Sequence, residues 1–554
     1  MRSIRRSSWF LGIFLFLTVF TAGSIRVLTA EELVGSLPVS ELVTQINAGL
    51  ERDREEPVGG SVITGATPCV GGMAGSFPCQ NVDLLAHMPL ATIGGGNGSA
   101  NWGWTDSVSG REFAIMGRSN GTAFVEITDP VNPVYLGNLP THTGNSSWRE
   151  LKTYSHYVYI VSDNNGAHGM QVFDLNQLLT VVTPPVTFSE SAHYPGVNNG
   201  HTITTNEATG YAYIFGSNTC SGGLHFVNIQ SPLSPVGAGC FSADGYTHDA
   251  QCLNYTGPDV AHQGKELCFA YNTDTLTIVD VTNKAAPAQI SRTGYAGRGY
   301  THQGWLTDDQ QYLVMDDELD EQNFGHNTRT YMWDVRDLDN PVLMGYYQST
   351  NPAIDHNQFF LGDYLFQANY RAGMRILDGS NIASGQLTEI AYFDIYPANN
   401  NASFNGAWHV YPYFPSGVVI VSGIGEGLFV LDPHLPNEPN YDAQLQNTTS
   451  TAVAMPGNHA THSFVLENLG DDDSYTVSVS GNAWPTTVMS GSPITVTGGL
   501  TATIEVEVHV PAAAAASQDN FTLTVTSIND SSVSMTATGT TSFYRLYLPL
   551  LRQP

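Results

Sequence analysis

The tetrapeptide Gly-Tyr-Thr-His begins at Gly245 and again at Gly299, 54 residues later. It is one phrase of a longer repeat, and a repeat of this period restricts the fold more than any other feature of the chain. The fuller copies read GTAFVEITDPVNPVYLGNLP from Gly121, GLHFVNIQSPLSPVGAGCF from Gly223, TLTIVDVTNKAAPAQISRTGY from Thr275 and RTYMWDVRDLDNPVLMGYY from Arg329. Shorter copies start at Gly169, Gly373 and Gly427. Each is an alternating run of β-branched and aromatic residues that ends near Asp or Asn. In the fuller copies a Pro-containing turn and another strand follow. An aromatic strand precedes each run, as in YVYIVSD from Tyr157 and QYLVMDD from Gln311.

Some ten residues before each aromatic strand stands a recurring column: Thr105, Arg149, His201, His248, His302, His356 and His409, at spacings of 44, 52, 47, 54, 54 and 53. A period near 50 with four short strands per unit predicts a seven-bladed β-propeller. Such a unit cannot bury both faces alone and must stack on its neighbours. The seventh copy lacks an outer strand, whereas NVDLLAHMPL from Asn81 resembles NPVYLGNLP from Asn132. Residues 81–90 are therefore expected to close the ring beside Gly427–Leu431, which removes an open edge. The strand-terminal Asp129, Asp174, Asp280, Asp334, Asp378 and Asp432 are expected to cap turns. The propeller is assigned to 81–437.

After Asn437 the texture changes to period-two strands, such as TATIEVEVHVP from Thr501 and NFTLTVTS from Asn520. This predicts an immunoglobulin-like β-sandwich over 442–541, without the antibody disulfide, followed by a tail over 542–554. Residues 31–80 read as an acidic lead-in, helical near Val39–Leu50, and a Gly-rich connector. The start reads as an export signal over residues 1–30: Arg2, Arg5 and Arg6, then an apolar run Trp9–Phe20, then small residues. That run is short for a membrane span. Six cysteines in an exported chain predict disulfides between neighbours, Cys69–Cys79, Cys220–Cys240 and Cys252–Cys268, with unpaired buried thiols as the alternative. With 50 acidic against 20 basic residues the net charge is −30, which disfavours nucleic acid. The expected location is secreted or at the cell surface, with no transmembrane span in the mature chain.

The runs IVDVTNKAAP and VEITDPVNPV resemble the LVIVD-type repeat. The stretches GYTHDAQCLNYTGPD, YTHQGWLTDDQQYLVMDDELDE and IDHNQFF are similar to those of the choice-of-anchor B family of exported bacterial propellers. The resemblance covers roughly residues 80–435. It implies a propeller fold and a surface location, and it implies no reaction. The sandwich and the tail YRLYLPLLR look like the C-terminal part of many exported proteins of filamentous green bacteria, which suggests sorting or retention.

Five of the seven column positions are histidine: His201, His248, His302, His356 and His409. Imidazoles converging on a propeller axis can hold a divalent transition metal, with Asp249, Asp355 and Glu150 nearby to orient them. The carotenoid-oxygenase propellers hold iron with four histidines in this way, an analogy of architecture only. The alternative is a structural layer in which each imidazole bonds the backbone of the next blade. The run DDELDE offers Asp316, Asp317, Glu318 and Asp320 as calcium ligands, without EF-hand spacing; a solvated acidic loop is its alternative. Arg149 and the aromatics Trp102, Trp104, Trp148, Trp305 and Trp408 could line a face that binds a protein, peptide or carbohydrate, or could pack between blades.

No H-E-x-x-H, phosphate-loop or dinucleotide motif occurs. Three functions stay open: a binding protein that uses the propeller face, a metal-dependent enzyme at the axial histidines, and a structural surface or adhesion component.

Overall fold

The computed structural model describes residues 38–53, 62–436, 441–514, 516–530 and 533–543, and the backbone of Thr18–Thr21 and Ser24–Val27. The chain divides into two compact units, Met1–His434 and Leu435–Pro554. The expected export signal lies outside the described residues, except for the pairing of Thr18–Thr21 with Ser24–Val27. The tail beyond residue 543 also lies outside them.

Most of the first unit is built from small, mainly antiparallel sheets, seven of them begun by one strand of a sequence copy. These first strands are β1 (Gly98–Thr105), β2 (Arg149–Tyr154), β3 (Thr202–Asn206), β4 (Asp249–Asn254), β5 (Thr301–Leu306), β6 (Gln358–Leu361) and β7 (Ala407–Tyr411). Each packs against the next, and β7 packs against β1, so the sheets stand in a ring. Side chains fasten the ring by bonding the backbone of a neighbouring strand. Ser99 donates to the Arg149 carbonyl at 3.0 Å, His248 to the His302 carbonyl at 2.8 Å, and Gln303 to the Gln358 carbonyl at 3.1 Å. Asn101 donates to the His409 carbonyl at 2.9 Å and joins the last sheet to the first.

The strand Val82–Met88 pairs antiparallel with Gly427–Pro433, with Met88 opposite Leu428. The connector contributes more than expected. Phe77–Gln80 adds to the edge of the sheet that β6 begins, with Cys79 opposite Phe393. Disulfides join Cys69 to Cys79, Cys220 to Cys240 and Cys252 to Cys268, as the neighbour pairing anticipated. Asp174, Asp280, Asp334 and Asp378 each accept from the backbone N–H two residues on, at 2.9–3.1 Å, and so form the anticipated turns.

The lead-in forms helix α1 (Val39–Arg52). Leu42 and Ile46, one turn apart, are buried against Tyr300, Leu319, Ile354, Tyr370, Phe404 and Trp408. At Gly49 a Cβ would stand 2.3 Å from the Phe404 ring, so only glycine permits this approach. A second, short helix α2 (Asp320–Phe324) follows the strand Tyr312–Asp317, and Gln45 of α1 donates to Asn323 of α2 at 2.9 Å.

The second unit has two sheets with strands that alternate buried and exposed residues, as in His459–Asn468. Its core contains Phe464, Leu466, Ile504, Val506, Phe521, Leu523 and Val525.

Candidate metal centre

Four imidazoles form an arc where the inner strands begin. His201 and His248 directly precede β3 and β4, His302 is the second residue of β5, and His356 lies two residues before β6. Successive ring centroids are 4.5, 4.1 and 4.4 Å apart. His248, His302 and His356 are buried and His201 is partly so.

Every Nδ1 in the arc has an acceptor. His201 faces Asp163 Oδ2 at 2.9 Å, His248 the His302 carbonyl at 2.8 Å, His302 Asp316 Oδ1 at 3.1 Å, and His356 the Trp408 carbonyl at 2.5 Å. A carbonyl oxygen can only accept. His248 and His356 therefore carry their ring proton on Nδ1, and the neutral ring presents Nε2 as a bare lone pair. The structural role and the ligand role thus use different nitrogens of one ring.

Glu318 stands opposite. Its Oε2 is 4.0 Å from His302 Nε2 and its Oε1 is 3.7 Å from His356 Nε2. The Tyr370 hydroxyl donates to Glu318 Oε1 at 2.7 Å and fixes the carboxylate. The ligand atoms of His302, Glu318 and His356 lie within 4.8 Å of one another, and His201 and His248 line the same cavity.

Local irregularities aim these groups. The pairing of β5 with its neighbour slips between Thr301 and Gly304, so His302 and Gln303 share the space opposite Asp316. One carboxylate oxygen of Asp316 then receives both His302 Nδ1 and the Gln303 N–H, the latter at 2.6 Å. A bulge that re-aims a side chain beside a site is a recurring use of this device.

Electrostatics keeps most of the arc neutral. Burial, with the neighbouring imidazoles, holds His248 and His302 well below the ordinary histidine value. Burial brings His356 to about 3. His201 differs: burial lowers it, but the bond and charge of Asp163, aided by Glu318 and Asp249, outweigh that and raise it. Burial raises Glu318 to about 7 against the Tyr370 bond. Neutral imidazoles are the form that ligates metal.

The four histidines separate two cavities, which also share Trp148 and Trp408. One, of about 40 Å³, reaches Tyr246, Tyr300 and the α1 residues Val43, Ile46 and Asn47. The other, of about 20 Å³, reaches Ser99, Arg149 and Glu150. Helix α1 therefore forms part of the wall over the arc.

The structure divides the expected site residues. Trp148 and Trp408 line the arc, and the Trp408 ring is 5.0 Å from His356. His409 does not join it. Its neighbour Trp408 occupies the bulge in β7, and the His409 ring packs against Phe359 at 4.9 Å. Thr105 is a misplaced member of the column: it ends β1, and Ser99 at the other end of that strand meets Arg149. Trp104 stacks on Phe113 and, with Thr105, Tyr411 and Tyr413, lines an open cavity of about 530 Å³ away from the arc. Trp305 packs edge-on against Phe359 at 4.9 Å and is absent from both histidine cavities. Arg149 is buried, bonds the Arg118 carbonyl at 3.1 Å, and is lowered to about 10 by burial and by Arg118.

The acidic run is not a solvated loop. Asp316, Asp317, Glu318, Asp320 and Glu321 are all buried. Asp317 is no calcium ligand here, because it accepts from the Tyr295 hydroxyl and the backbone N–H groups of Gly299 and Tyr300. Asp316 serves His302. The sequence reading missed Asp163, Tyr370, Glu321 and the covering helix as parts of this region. Asp163 had a legible signal, since YVYIVSD ends in Asp163 as QYLVMDD ends in Asp317.

No family model and no curated protein matches the chain. Similar solved structures include a protein from Lactobacillus plantarum, at 14% identity over 58% of this chain and 87% of that one, with a TM-score of 0.40. The periplasmic gluconolactonase PpgL of Pseudomonas aeruginosa matches at 11% identity over 62% and 96%, with a TM-score of 0.39. The C-terminal WD40 domain of Sif2 matches at 10% identity over 69% and 98%, with a TM-score of 0.36. These values assign no activity to this chain, and the case for a site rests on its own residues.

Proposed function

We propose that this protein is an extracytoplasmic seven-bladed β-propeller of the choice-of-anchor B type, with LVIVD-type repeats and an immunoglobulin-like sandwich, and that it holds a divalent transition metal on its axis. His302, His356 and Glu318 form the nucleus of the site, and His248 and His201 complete it. The observation that carries this reading is the engagement of every Nδ1 in the arc by a carbonyl or a carboxylate, with Glu318 facing two Nε2 atoms. A layer that served packing alone would not need Nε2 lone pairs gathered around a buried carboxylate.

Imidazole nitrogens with one carboxylate suit copper, iron, manganese or zinc. Bound there, such an ion would supply Lewis-acid or redox chemistry in a site walled by Tyr246, Tyr300 and α1. Metal analysis of the purified protein and of the His248→Ala/His302→Ala double variant tests the proposal. Stoichiometric metal in the first and none in a folded second supports it.

A second reading is ligand binding in the open cavity beside Trp104, Tyr411 and Tyr413, where aromatic faces and polar groups suit a saccharide or peptide. Binding there would survive metal removal and would be lost on Trp104→Ala.

A further inference from the structure

A second cluster lies beside the axial centre and is made of oxygen alone. Asp320 and Glu321 begin α2, and Asp355 stands in the segment before β6, 34 residues downstream of Glu321. One oxygen from each lies within 4.8 Å of the other two. All three side chains are buried, with relative exposures of 0%, 2% and 0%.

Acidic clusters are common, so the hydrogen-bond inventory decides what this one means. Of its six carboxylate oxygens, five have no hydrogen-bond donor: Asp320 Oδ1, both of Glu321 and both of Asp355. The sixth, Asp320 Oδ2, accepts from the Tyr331 hydroxyl at 2.8 Å and lies 3.5 Å from His326 Nε2. Asp316 and Asp317 add further negative charge around Asp355, and Arg329 is the basic side chain that acts on Asp320. An isolated buried carboxylate costs several kcal/mol, and three together repel one another. Shared protons would reduce the charge but would leave most of these oxygens without a donor. Asp317, in the same acidic run, is by contrast fully bonded.

We infer that Asp320, Glu321 and Asp355 bind a calcium ion separate from the axial transition metal. Three carboxylates that bring one oxygen each within 4.8 Å of the others suit a hard cation. Calcium is preferred to magnesium because magnesium keeps several of its waters, whereas this site is sealed from solvent and supplies its oxygens itself. The ion would tie α2 to the segment before β6. Glu318 lies two residues before Asp320 and His356 directly follows Asp355, so the same ion braces both sides of the axial centre.

Isothermal titration of calcium chloride into chelator-stripped full-length protein tests the inference, together with thermal unfolding in calcium and in chelator. The wild type is expected to bind about one calcium ion per chain and to unfold at higher temperature in calcium. The Glu321→Gln/Asp355→Asn double variant is expected to fold, to lose calcium affinity at least about tenfold, and to match or exceed the wild type's stability in chelator, because the repulsion is gone. The His248→Ala/His302→Ala variant is expected to keep the calcium response, which separates this site from the axial one. A wild type that takes up no calcium overturns the inference. A calcium response that survives Glu321→Gln/Asp355→Asn also overturns it.

Discussion

The C-terminal unit and the ring of sheets begin from the same alternating strands, yet their interiors differ in kind. The C-terminal unit closes over Phe464, Leu466, Ile504, Val506, Phe521, Leu523 and Val525. Its buried polar groups are few, such as His462 between Ser450 and Thr541 and Asn468 bonded to the Asp471 and Val496 carbonyls. The ring unit buries aliphatic cores between its sheets too, but it also buries an arc of imidazoles, Glu318 and the trio Asp320, Glu321 and Asp355. Among its described residues the C-terminal unit buries a single carboxylate, Asp473, whose Oδ1 accepts from the Ser474 N–H and the Asn529 amide, and it folds without a cluster of buried charge. The buried charge of the ring unit therefore calls for a ligand to explain it.

Phe521→Ala probes the apolar side of this comparison and carries the largest expected effect. It should cost the C-terminal unit about 3–5 kcal/mol, read by denaturant unfolding, with the metal content unchanged. Loss of metal together with that core would break the separation. His248→Ala/His302→Ala comes next. The pair removes the bond from His248 to the next strand, so the metal-free ring unit should lose about 1–3 kcal/mol while metal binding disappears. A variant that keeps its metal would move the site elsewhere.

Glu318→Gln keeps the shape and removes the charge. Transition-metal affinity should fall by about 10–100-fold, measured by competition with a chelator, and the metal-free protein should be no less stable than the wild type. Unchanged affinity would reduce Glu318 to a bystander. The smallest effect is expected from Gly49→Leu, which drives a side chain into Phe404 and displaces α1. Metal release to a chelator should then quicken by about tenfold, or about 1.4 kcal/mol in barrier, at constant stoichiometry. An unchanged rate would mean that α1 does not limit access.

Much of this was legible in the sequence because repetition made it so. The period placed the inner strands, the neighbour rule paired the cysteines, and four of the five column histidines came together. What misled was local. A bulge in β7 shifts the register by one residue and puts Trp408, not His409, beside the arc, whereas Thr105 stands six residues from Ser99, at the far end of β1. The run DDELDE offered solvent as one natural reading, since charged residues are rarely buried without partners. Its burial depends on Asp355 and on α1, which only the tertiary fold brings near. Trp104 and Trp305 carried no signal of orientation: Trp305 packs on Phe359, and Trp104 stacks on Phe113 at the wall of the open cavity.

Elemental analysis of the full-length protein, purified without chelator and then offered copper, iron, manganese and zinc singly, tests the axial centre most directly. The expected result is about one tightly held transition-metal ion per chain, absent from a folded His248→Ala/His302→Ala variant. A wild-type protein that retains none of these ions, or a double variant that holds the same ion equally well, would contradict a metal centre at the histidine arc.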